Sequence, residues 1–330
     1  RGRGAAIATA VAALLTLQLT AAARPYVETT GGAYLDAPSP LKDALDRHGG
    51  GRIKLLPPRH SVLNNWRQTY LASRGAPLFD PISVRALPPA EAAFFAAFGD
   101  RPLDLWRLGA VDTFFASRAA VEELIAQPGA SDDFYVVETR RAGEWDPRLL
   151  DPGHRISRSL GARRDEAISL LELRTARPAL RLLRTWTPVP DDDAGDRAAL
   201  EAFADPEFDA PAARFVHGAP PPPAVRRGAD QDGEVDILDR TPTRLEARVE
   251  GPGMLLRASR YDPRWRVRVD GEEVELLRAN VLFQAVPIGP GEYRVVFEFA
   301  PSQGLFAFSV AARLGLLALA VAFFRRRGDA

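Results

Sequence analysis

From Glu234 onward the chain alternates apolar and polar residues in short segments, and no other feature constrains its fold as strongly. "EVDILDRT", "TRLEARVEG", "GMLLRASRY", "WRVRVDG", "EEVELL", "VLFQAVPI" and "EYRVVFEF" follow at close spacing, with turn residues between them. A period of two sends alternate side chains to opposite faces, so each segment reads as a half-buried strand. Strands at this spacing predict an antiparallel β-sandwich over residues 234–301. In "RYDPRWRVRVDGEEVEL" (260–276), Trp265, Val267 and Val269 share one face, while Arg264, Arg266 and Arg268 share the other. Asp270-Gly271 supplies the positive φ angles of a tight hairpin turn. Tyr293, Val295, Phe297 and Phe299 line the inner face of the last strand. The arginine stripe reads as a solvated strand face; its alternative is a surface for an acidic sugar or a lipid phosphate.

Upstream the signals are mixed. "SPLKDALDRHGG" (39–50) has a serine cap, leucines at helical spacing and a glycine stop, which predicts a short helix. "GRIKLL" (51–56) and "DFYVVETR" (133–140) read as strands, and "PPAEAAFFAAFG" (88–99) as a helix started by proline. "LDLWRLGAVDTFFAS" (103–117) predicts a helix that turns at Gly109 into a buried strand, followed by the capped helix "SRAAVEELIA" (117–126). Strands alternating with helices over residues 25–165 suggest an α/β or α+β unit. Residues 141–165 read as a loop. Within 166–233, "AISLLELR" (167–174) and "ALRLLRTWTPV" (179–189) are expected strands. The aspartates of "DDDAGDRAALEAFADPEFDA" (191–210) fit the first turn of a helix, whose dipole favours acids; cation binding is the alternative. "HGAPPPPAVRRGADQDG" (217–233) is a proline-rich connector.

Two apolar runs flank all of this. "AAIATAVAALLTLQLTAAA" (5–23) carries no charge and reads as a signal peptide or as a transmembrane helix over 5–24. "LFAFSVAARLGLLALAVAFF" (305–324) is followed at once by "RRR", and arginines beside a span mark its cytoplasmic side. The alternative is two core helices of a water-soluble globule. The expected fold class is therefore an α+β membrane-protein fragment. In it, two terminal transmembrane helices flank an extracytoplasmic α/β unit and a C-terminal antiparallel β-sandwich. Residues 25–304 then lie outside the cytoplasm and membrane lipid is a partner. Arg313 falls near the middle of its run, where a cation costs about 2.5–3.5 kcal/mol, so partner helices upstream of Arg1 are expected.

Composition narrows the chemistry. Lys plus Arg equal Asp plus Glu at 43 each, so no global charge attracts nucleic acid. The absence of cysteine removes disulfides and thiolate chemistry. The histidines, His48, His60, His154 and His217, are scattered without metal-ligand spacing. No phosphate-binding loop or G-x-S-x-G elbow is present, so no catalytic residue, metal or cofactor is assigned. The best candidate for substrate binding is Asn64, Asn65, Trp66, Arg67 and Tyr70, with Asp80 downstream. Amides and arginine suit sugar hydroxyls and phosphate, and aromatic faces stack on sugar rings. The plainer reading makes Trp66 and Tyr70 core residues and the asparagines turn formers.

The stretch 253–315 resembles the C-terminal end of the YfhO-like family of bacterial polytopic membrane proteins. The resemblance rests on Tyr261, Pro263 and Trp265, then Val269-Asp270-Gly271, Asn280, Val286-Pro287, the glycine turn Gly289–Gly291 and Pro301. Looser matches are "RHSVLNNWRQTYLASRGAPLFDPISV" (59–84), "LWRLGAVDTFF" (105–115) and "ALEAFADPEFDA" (199–210). Arg264 stands where the family usually has glycine. The resemblance implies a glycosyltransferase of the GT-C type. Such an enzyme would use a polyprenyl-phosphate sugar to decorate a surface glycan polymer from the cell membrane, with its catalytic region upstream of these residues. The alternative function is a non-catalytic, membrane-tethered carbohydrate-binding or scaffold module.

Overall fold

The computed structural model describes residues 39–48, 51–56, 62–63, 66, 71, 78–79, 87–127, 130–147, 164–220, 233 and 235–300. In chain order they form α1 (Pro40–His48), β1 (Arg52–Leu56), α2 (Pro89–Ala97), α3 (Pro102–Leu108), β2 (Val111–Ser117), α4 (Arg118–Ile125), α5 (Ala130–Asp133), β3 (Phe134–Arg141), α6 (Ala142–Trp145) and β4 (Ala167–Leu173). Then come β5 (Leu180–Leu183), β6 (Thr187–Val189), α7 (Asp193–Ala204), a 3-10 turn (Ala210–Ala212), β7 (Phe215–His217), β8 (Val235–Arg240), β9 (Arg244–Glu250), β10 (Gly253–Arg257), β11 (Trp265–Val269), β12 (Glu272–Val274), β13 (Leu277–Ala279), β14 (Phe283–Ile288) and β15 (Glu292–Phe299). Local chemistry sets the helix starts as expected. Ser39 accepts the Lys42 N–H at 3.1 Å, Ser117 accepts from Ala120, and Asp192 accepts from Ala194 and Gly195 at 2.9 and 3.1 Å.

The described strands make three sheets. Their orders are β1-β2-β4-β3, β5-β10-β14-β13-β7-β6 and β12-β11-β15-β9-β8. The last two face each other as the predicted sandwich, with Leu182, Leu255, Val286 and Ile288 meeting Ala247, Val267, Val295 and Phe297. Asp270 and Gly271 take φ of 50° and 90°, as the hairpin requires. The six-stranded sheet also takes β5, β6 and β7, which precede the proline-rich connector. Its second face packs on α2 and α7 through Phe94, Phe98, Phe203 and Phe283, whose rings meet at 5.2–6.1 Å. That apolar core runs on without a break to Phe114 and Leu171 of the first sheet. Arg52 of β1 stitches the parts together, donating to the carbonyls of Ala258 at 3.0 Å and Leu78 at 3.1 Å.

The expectation of an α+β membrane protein with two terminal transmembrane helices is corrected. The described chain is mostly β-sheet, and no described helix is long and apolar enough to cross a membrane. The longest, α7, has 12 residues, which span about 18 Å where a bilayer core needs about 30 Å. The membrane and glycosyltransferase assignments find no support among the described residues. The apolar runs 5–24 and 305–324, with Arg313, lie outside the described residues.

The helix turns at Gly109 into the buried strand β2, as expected. Gly109 has an ordinary φ of −78°, and Ala110 takes the left-handed one, at 56°. Glycine is needed at 109 for space: a Cβ there would lie 2.3 Å from the Phe79 ring. Gly109→Ala is therefore expected to destabilise the fold by about 1–3 kcal/mol through overpacking. Ala110→Gly trades left-handed strain for a lost buried methyl, each near 1 kcal/mol, and should stay within about 1 kcal/mol of wild type. Urea unfolding of the two variants checks the order; equal effects would refute this account of the turn.

Candidate functional site

Of the residues picked out for substrate binding, Asn64, Asn65, Arg67, Tyr70 and Asp80 lie outside the described residues. Trp66 is wholly buried. Its indole N–H donates to Asp146 Oδ2 at 3.2 Å, and its ring meets Phe115 edge-on at 5.8 Å. The arginine stripe of the outer sheet is largely neutralised where it stands. Arg268 pairs with Glu298 at 3.2 Å and Arg248 with Glu292 at 3.2 Å. Arg244 and Arg294 both hold the buried Glu246. A stripe already paired with acids behaves as a solvated face.

The sheet edges are different. Among the described residues, β3 ends the first sheet and β8 ends the outer sandwich sheet. Each carries large apolar side chains in solvent: Tyr135 and Val136 are 48% and 38% exposed, Ile237 and Leu238 41% and 44%. Each also carries a bulge at that point. Val136 pairs with Leu171 and Glu138 with Leu170, leaving Val137 extra. Ile237 pairs with Ala247 and Asp239 with Glu246, leaving Leu238 extra. In β8 the extra residue breaks the alternation, so Ile237 and Leu238 both face outward; in β3 Tyr135 and Val136 are exposed just before the extra residue. Unpaired N–H and C=O groups beside exposed apolar side chains are what an added strand uses.

Two polar clusters sit at the joints of the fold. At one, Arg278 of β13 binds Asp196 of α7 at 2.6 Å and Asp191 at 3.2 Å, beside the buried His217 of β7. Asp196 also lines an open groove of about 440 Å³ between α2 and α7, with Ala90, Ala93, Leu200 and Ala204 among its walls. At the other, Asp112 of β2 faces Gly51, where any side chain would collide with its carboxylate. Burial pushes the Asp112 carboxyl up to about 6, against the hydrogen bond from Thr113 at 2.9 Å and the attraction of Arg240. Nearby, Arg257 lies over the Trp265 ring at 4.0 Å and donates to Gln284 at 3.2 Å. Burial, then repulsion from Arg240 and Arg52, pulls its guanidinium down from its ordinary value. No group of three or more His, Asp or Glu able to hold a metal occurs among the described residues.

No protein-family model, curated protein or solved structure matches the chain. The resemblance to the YfhO-like family thus rests on the residues quoted for it above. Sequence reasoning passed over the edge residues because "DFYVVETR" and "EVDILDRT" read as ordinary strands. The doubled apolar pairs, Tyr135-Val136 and Ile237-Leu238, were the available sign of a broken alternation. It passed over His217 and Arg278 because they lie 61 residues apart.

Asp112 gives the clusters a measurable signature. Its folded carboxyl holds a proton more tightly than the unfolded chain does, so its contribution to stability falls as pH rises from about 4 to about 6. Asp112→Asn is expected to remove that fall and to stabilise the protein at pH 7 by about 1–2 kcal/mol, discounted for partial exposure. Denaturant titrations of both proteins at pH 4 and pH 7 check it. A variant that is less stable at pH 7, or unchanged in pH profile, contradicts the assignment.

Proposed function

We propose that this chain works as a non-catalytic binding and scaffold module that accepts partner strands at its two bulged sheet edges. The single observation that carries the reading is the coincidence, on both β3 and β8, of an edge that no described strand pairs, a bulge and a pair of exposed large apolar side chains. In strand addition the main-chain hydrogen bonds supply affinity and the alternate side chains supply selectivity. The bulges limit this pairing to the few residues before them, 134–136 and 235–237, so the bound segments are short. The aromatic core and the sandwich core, which meet at the six-stranded sheet, support the scaffold part, because together they hold both edges in one body.

The test is hydrogen exchange of the full chain in buffer and in extract of the source cells. Amides of 134–136 and 235–237 are expected to gain protection in extract. Tyr135→Lys with Val136→Lys, and Ile237→Lys with Leu238→Lys, should each abolish the gain at their own edge. As exposed positions they should shift stability by about 0.5 kcal/mol or less per substitution. Unchanged exchange at both edges, or turnover of a sugar substrate by the purified chain, would overturn the reading.

A further inference from the structure

Strand β7 ends on His217, whose ring is wholly buried where three elements meet. Its Nδ1 lies 3.2 Å from the carbonyl oxygen of Pro190, 3.7 Å from Asp196 Oδ1 on α7 and 3.4 Å from a guanidinium nitrogen of Arg278 on β13. A carbonyl only accepts, so Nδ1 carries the proton and Nε2 carries the lone pair. Nε2 is buried and has no hydrogen-bond partner among the described residues. The remaining charged neighbour is Asp191, which Arg278 holds; Tyr261 lies within electrostatic reach of Asp191 and Arg278. The neighbouring strand β6, paired through Val189, brings no ionisable side chain.

A buried lone pair without a donor is a small loss. A buried cationic N–H without an acceptor is a large one. Adding a proton to His217 creates such a donor at Nε2 and sets a second cation beside Arg278. Asp196 attracts that proton but faces Nδ1, with Oδ2 bonded to Arg278 at 2.8 Å and Oδ1 3.7 Å from Nδ1, so it gives the new N–H at Nε2 no acceptor. The proton therefore enters only if the packing above the ring opens. Position 195 shows which element would move. A Cβ on Gly195 would lie 1.9 Å from the Pro190 carbonyl oxygen, so the first turn of α7 rests on the group that His217 grips.

We propose that His217 makes this junction an acid-sensitive latch, in which protonation lifts the first turn of α7 off Pro190 and β13 and reshapes the groove between α2 and α7. Burial, and after it Arg278, already holds the imidazole below its ordinary value. The sign follows. The open or unfolded chain takes the proton first, so the closed state loses stability as pH falls below the ordinary 6.5.

The experiment is hydrogen exchange on the full chain at pH 7.5 and 5.5, corrected for intrinsic rates. Amides of α7 should lose protection by about tenfold, the change that one pH unit of linked protonation produces, while β9 stays unchanged. His217→Asn keeps an N–H for Pro190 but cannot titrate, and should erase the pH effect. Arg278→Gln removes the cation that opposes protonation of the closed state, so the loss of α7 protection between the two pH values should shrink. Equal protection at both pH values, or the same loss in His217→Asn, overturns the latch. If His217→Asn fails to fold, the imidazole shifts of wild type decide. Titration that tracks the loss of α7 protection supports the latch, and titration near 6.5 with α7 still protected refutes it.

Discussion

Everything in this fold depends on the six-stranded sheet being buried on both faces. One face closes the sandwich against Val267, Val295 and Phe297; the other closes against α2 and α7 through Phe94, Phe203 and Phe283. At about 25 cal/mol per Å² of apolar surface removed from water, a doubly covered sheet contributes roughly twice what a half-exposed one does. The cost is that every polar group at its rim must find a partner within the protein. Gln284 does so by donating to the Arg260 carbonyl and accepting from Arg257. Asn280 does so three times, giving and receiving with Phe215 and donating to Ala213. The joints between layers are where such partners run short, and the displaced ionisations of Asp112 and His217 occur there.

The surface follows a different rule. The outer sandwich sheet meets water with arginine and glutamate facing each other across strands, and such pairs hold register more than they stabilise. Charge there is neutralised locally, in keeping with a chain whose total is zero. Among the described residues, the exposed large apolar side chains are Ile125 of α4 and those of the edge strands β3 and β8, each of which carries a bulge. A bulge both protects an edge from indiscriminate pairing and defines a short stretch where pairing remains open.

Much of this architecture was legible in the sequence. Ser39, Ser117 and Asp192 announced three helix starts, Asp270-Gly271 a hairpin, and Tyr293 to Phe299 an inner face; each is local chemistry, decided within a few residues. The membership of β5, β6 and β7 in the sandwich was not legible, because a strand's neighbours are set by long-range burial. "LRLL" and "GMLLR" hint at it only by being apolar on both faces. Gly109 marked its turn, but the reason for glycine there was not legible. Glycine in a turn suggests a left-handed residue, but here it makes room for Phe79, which is distant in sequence. The membrane assignment came from hydropathy in the runs 5–24 and 305–324, whereas the described helices answer to packing and are short. Of the residues expected to bind substrate, Trp66 shows the limit of composition: an aromatic suited to stacking on a sugar is equally suited to a core, and only its neighbours decide.

Asn280 and His217 are both buried polar residues at the same junction, and their difference is informative. Asn280 spends both side-chain groups on backbone partners, so its role as a tie between β13 and β7 is complete. His217 uses one nitrogen on Pro190 and leaves the other idle. Gripping Pro190 needs only the N–H at Nδ1, and Nε2 is left without a partner among the described residues. The second nitrogen adds nothing to the closed state. Its distinguishing property is that it binds a proton within the physiological range once water reaches it. A residue whose surplus atom matters only when the joint opens belongs to two states of the protein, and Arg278, which holds Asp196 and crowds the imidazole at once, sets the balance between them.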